Sequence, residues 1–62
     1  MREESQVLKK DGNQLYLTGS NEEAVEKYSL ALDVCPLVFK DDRAVLLSNR
    51  AAAKIKLVSH KT

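Results

Sequence analysis

The sequence predicts an all-α chain, a helical hairpin followed by the first helix of a second unit. Three observations predict it. Amphipathic patterns of similar length flank Gly19 between Lys9 and Pro36. Each carries an apolar stripe that a lone helix leaves uncovered and a hairpin buries. Small residues recur where helices must touch, Gly12 in the first pattern and Ala24 and Ala31 in the second.

The first helix is expected over about 2–18, where Leu8, Gly12, Leu15 and Tyr16 fall at i, i+4, i+7 and i+8. Gly12 on that face costs about 1 kcal/mol against Ala, which points to the close approach of another backbone. Thr18-Gly19-Ser20 breaks the pattern, and Gly19 suits the left-handed position just past a helix end.

The second helix is expected over about 20–35. Ser20 and Glu23 form an S-x-x-E capping box, in which each side chain satisfies the other residue's free backbone donor. Ala24, Tyr28, Ala31, Leu32 and Cys35 then line one stripe. Pro36 cannot continue the helix and biases Cys35 away from helical geometry. Cys35 at this helix end is read as a small buried hydrophobe, not a reactive thiol.

Residues 37–42 form a connector in which Leu37, Val38 and Phe39 are expected to tuck under the neighbouring helix. Asp41 or Asp42 is the expected N-cap of a third helix over 43–58, and 59–62 is expected to fray. The Ala-rich centre of that helix favours the helical state and admits a close neighbour.

Composition narrows the function classes. The chain has 62 residues, a formal net charge of +1, one Cys and one His. A chain this short buries only about 60% of the surface it exposes when unfolded, so marginal stability is expected. A single Cys makes no disulfide framework and a lone His60 makes no metal cluster, so neither metal nor cofactor is expected. No apolar run approaches a membrane span, and Met1 to Ser5 lacks the apolar core of a signal peptide. A reduced cytoplasmic protein is the expectation, with no membrane partner. The near-neutral balance argues against nucleic acid, because the modest cluster of Lys54, Lys56 and Lys61 is balanced by acids elsewhere. No nucleophile is paired with a base, and Glu26 with Asp33 reads as a solvated helix face, so an enzyme is not expected.

Gly12-Asn13 aligns with Ser48-Asn49, 36 positions later. A helix–turn–helix repeat has a period of about 34, and two extra loop residues account for the offset. With Gly12, Gly19, Ala24, Tyr28, Ala31 and Pro36 at small, turn, small, aromatic, small and helix-ending positions, the chain resembles the tetratricopeptide repeat family. Leu8, where Trp is typical, and Asp11, where an apolar residue is usual, depart from that pattern. The resemblance implies one complete repeat at 1–36 and half of a second at 43–58. A fragment, a truncated form or a chain completed by a partner is therefore expected. The uncovered third helix, through Leu46, Leu47 and Ile55, is expected to associate with a partner helix or a second copy.

Lys9 and Asn13 project together at i, i+4, beside the apolar stripe, and Asn49 holds the equivalent position one unit later. A Lys supplies charge and amides donate without adding more, a donor set suited to a carboxylate. Lys9-Lys10-Asp11-Gly12-Asn13 and Asn49-Arg50-Ala51-Ala52 resemble the K-x-x-G-N and N-R-A-A motifs of chaperone-binding tetratricopeptide domains. The resemblance implies an adaptor or co-chaperone whose Lys9, Asn13 and Asn49 hold the C-terminal carboxylates of a heat-shock chaperone tail or a similar acidic tail. That family takes a further Lys and Arg from a third repeat. Without them, a micromolar site (about −8 kcal/mol) is expected to weaken to millimolar order. Tyr16 and Tyr28 are expected in the core.

Overall fold

The computed structural model describes residues 2–60. It is all-helical: α1 (Arg2–Leu17), α2 (Asn21–Val34) and α3 (Lys40–His60). The three-residue turn between α1 and α2 makes them an antiparallel hairpin, and α3 packs against α2. α1 and α3 run in the same direction and touch only along a narrow seam. Among the described residues, no helix is long and apolar enough to cross a membrane.

The core is the predicted α2 stripe. Ala24, Tyr28, Ala31, Leu32 and Cys35 are all buried, joined by Leu46 and Ala53 from α3. Leu8, Leu15, Tyr16, Val25 and Phe39 pack around them, half-buried. Leu46 thus belongs to the core rather than to the open face of α3. Arg43 and Arg50 leave the same helix for α2: Arg50 Nη1 donates to Ser29 Oγ at 3.4 Å.

Gly12 lies under a ring rather than under a backbone. A Cβ placed there would stand 2.6 Å from Tyr28 Cε1 and 2.8 Å from Cδ1. The absent side chain lets the buried ring approach α1 closely.

The α1–α2 turn is a Schellman motif. The Gly19 N–H donates to Tyr16 O (3.2 Å) and the Ser20 N–H to Leu15 O (2.8 Å), with Gly19 at φ 89°. This corrects the capping-box expectation. The N–H that Glu23 would accept from is already given to Leu15, and the Ser20 side chain makes no capping bond. Asn21, the first residue of α2, is buried, and its Oδ1 has no hydrogen-bond partner.

At the far end of α2, Cys35 is extended (φ −79°, ψ 122°), as expected before Pro36. Phe39 N–H donates to Pro36 O at 3.1 Å, closing a turn whose tip carries Leu37 and Val38 outward. These two are exposed, and only Phe39 reaches the core. α3 opens at Lys40, with the Arg43 N–H donating to Phe39 O at 3.0 Å. Asp41 and Asp42 are therefore not the N-cap; they lie inside the first turn, where carboxylates complement the helix dipole. Arg43 Nη1 donates to Leu32 O (2.9 Å) and Cys35 O (3.0 Å), covering carbonyls that the end of α2 leaves unbonded. α3 extends through Ser59 to His60, past the expected helix bound of 58, since no Gly or Pro interrupts it. The rest of the expected tail, Lys61 and Thr62, lies outside the described residues.

Candidate functional site

The site begins at Gly12. Because Tyr28 lies across it, the phenol reaches the next residue of α1, and Tyr28 Oη donates to Asn13 Oδ1 at 2.5 Å. Burial, and after it the neighbouring Tyr16 hydroxyl, raise the pKa of Tyr28 above its ordinary value of 10.0. The phenol therefore stays protonated and remains a donor at neutral pH.

A second donor converges on the same oxygen. Asn49 Nδ2 of α3 donates to Asn13 Oδ1 at 3.2 Å, across the seam between α1 and α3. Asn is a poor helix former, and these two bonds offset its cost in mid-helix. They also orient the amide. With its oxygen bonded twice, Asn13 has its two amide N–H groups left to give, and Asn49 keeps one of its own.

Both Asn residues line an open cleft of about 440 Å³ together with Tyr16, Leu17, Tyr28 and Ala52. No acidic residue lines it. Its floor is the aromatic edge of the core, and its walls are one face of α1 and one face of α3. Amide donors above an apolar floor are equipped to hold an oxygen-rich, partly apolar group such as the end of a peptide.

Of the three sequence-predicted residues, Asn13 and Asn49 are brought into direct contact. Lys9 is not with them in the cleft. It lies one turn earlier on α1 and lines a separate depression with Glu3, Gln6, Val7 and Asp42. Sequence reasoning missed Tyr28 as the group that orients Asn13, having read it as core only; it is both, buried at the ring and bonded at the hydroxyl. The signal was present in Gly12-Asn13, where a residue without a side chain precedes one with a fixed polar head. Lys56 was also missed: its Nζ stands 4.8 Å from the centroid of the Tyr16 ring.

The exposed side of α3 carries a second apolar face. Leu47, Ile55 and Val58 are each about half exposed or more, with the exposed Ala51 between them.

No protein-family model matches the chain, and no solved structure matches it significantly.

Proposed function

We propose that the chain is a protein-interaction module that takes the C-terminal carboxylate of an acidic peptide in the cleft between α1 and α3. Asn13 and Asn49 are the proposed carboxylate-binding residues of the cleft, to which the motif resemblance adds Lys9 from outside it. The observation that carries the reading is the hydrogen bond from Asn49 to Asn13, which with Tyr28 leaves amide N–H groups over a cleft without carboxylates. The likeness of the two motifs to those of tetratricopeptide co-chaperones supports a partner of heat-shock chaperone type. The Cys35-Pro36 step, the connector with Phe39 and the run 47–53 look close to the tetratricopeptide repeat domain 1 protein, which is an adaptor. With two amides and one lysine, the affinity expected is of about millimolar order.

The test is an amide NMR titration with a Glu-Glu-Val-Asp peptide and with its C-terminal amide. Shifts near Asn13 and Asn49 are expected with the free acid alone. Indifference to both peptides, or equal response to both, would sink the reading.

A second reading is favoured by the outer face of α3. Leu47, Ile55 and Val58 form an apolar stripe opposite Leu46 and Ala53, the shape of a scaffold that docks on a partner helix or a second copy. Sedimentation of the protein at rising concentration tests it. Association that survives high salt and is lost in Leu47→Glu would favour this reading, because apolar contacts are not screened.

A further inference from the structure

Two amides orient a carboxylate but bring no charge, so a cation must stand near them. Lys9 shares its depression with Glu3 and Asp42, whose carboxylates compete with any incoming one. A different cation stands against Tyr16, one of the residues that line the acid-free cleft of Asn13 and Asn49. Lys56 follows Asn49 by seven residues and Ala52 by four, so all three share one face of α3. Its ammonium group is held over Tyr16, a residue that lines the same cleft. Tyr16 belongs to the last turn of α1, which contains no basic residue of its own, so an anion there is repelled by the carbonyl end of that helix unless a nearby cation offsets it.

We propose that Lys56, rather than Lys9, is the cation of this cleft, and that a peptide carboxylate lying on the Asn13–Asn49 amides pairs with it. The inference rests on the carboxylate-binding reading above. Before the ligand arrives, the face of Tyr16 holds the ammonium weakly, and a charge-assisted hydrogen bond displaces that hold. The ligand is thereby placed toward the C-terminal ends of α1 and α3, away from Lys9, Glu3 and Asp42.

The experiment repeats the NMR titration with the free acid and amide of Glu-Glu-Val-Asp on four proteins: the parent chain, Lys56→Gln, Lys56→Arg and Lys9→Gln. Lys56 is exposed, so its variants are expected to keep the fold, which the dispersion of their spectra verifies. In Lys56→Gln, binding of the free acid is expected to weaken about fivefold, with recovery in Lys56→Arg and little change in Lys9→Gln. The ring-current shift that Tyr16 imposes on the Lys56 ε-methylene is expected to relax as the free acid is added to the parent chain. Loss of binding in Lys9→Gln with none in Lys56→Gln overturns the assignment and leaves the carboxylate-binding reading intact. A parent chain that does not distinguish acid from amide overturns both.

Discussion

Asn13 of α1 and Asn49 of α3 are joined by a hydrogen bond of 3.2 Å, although 36 residues separate them in the chain. It ties two helices that otherwise barely meet, and the oxygen it uses already accepts from Tyr28. The bond thus joins the two walls of the cleft and leaves the N–H end of the Asn13 amide as its unbonded end.

Asn13→Asp separates the structural part of that arrangement from the binding part. The new carboxylate still accepts from Tyr28 and Asn49, and these become charge-assisted bonds, so the helices should remain joined. It offers no N–H and places a negative charge in the cleft. The expected outcome is a chain that unfolds within about 1 kcal/mol of the parent and no longer distinguishes the free-acid peptide from its amide. Denaturant unfolding and the NMR titration read the two effects separately.

Tyr28 gives the fold a dependence on alkaline pH. Its folded pKa is raised by burial and then by Tyr16, so between the unfolded value and the folded one the native state holds a proton that the unfolded chain has released. The stabilisation is fully present below about pH 10 and is lost as pH rises through the folded pKa. Denaturant midpoints measured from pH 8 to 11 should fall above pH 10 in the parent chain. Tyr28→Phe should flatten much of that slope and cost about 0.5–1.5 kcal/mol at neutral pH from the lost bond to Asn13.

Gly12→Ala tests whether the close approach at that position matters more than helix propensity. Propensity alone would favour Ala by about 1 kcal/mol. The added methyl would meet the Cδ1–Cε1 side of the Tyr28 ring, whose side chain is buried in the core and bonded to Asn13 at its hydroxyl. Overpacking of this kind costs about 1–3 kcal/mol, so net destabilisation is expected. A variant that melts above the parent would show that the ring shifts freely.

Arg43→Met should destabilise the chain by about 1–3 kcal/mol, because the carbonyls of Leu32 and Cys35 lose a charged donor where α2 meets the connector. Arg43→Lys should recover part of this, having a cation but no planar fork to reach two oxygens together. Thermal melts of the three proteins give the order parent, Lys, Met. Equal melting temperatures would mean that water serves these carbonyls as well as Arg43 does.

Much of the fold was legible from local pattern. The buried stripe Ala24, Tyr28, Ala31, Leu32 and Cys35 follows from helical periodicity alone, and the exits at Gly19 and Pro36 follow from backbone sterics that act within a residue or two. The capping box at Ser20 and Glu23 failed because two local signals competed for one N–H, and the Schellman bond to Leu15 took it. The start of α3 was misjudged for a related reason: an Asp serves either as an N-cap or in the first turn, and the turn at Pro36–Phe39 left the second place for Asp41 and Asp42.

The site was legible only as separate letters. Its chemistry depends on pairings between α1, α2 and α3: Tyr28 with Asn13, Asn49 with the same oxygen, Lys56 with Tyr16, Arg43 with the end of α2. Helical spacing places each of these residues on a face of its own helix. It carries no information about rotation and stagger between helices, which packing of the core sets. Residue types and faces are therefore properties of the chain read locally, whereas donor directions, the acid-free cleft and the cation beside it arise once three helices are packed around Tyr28.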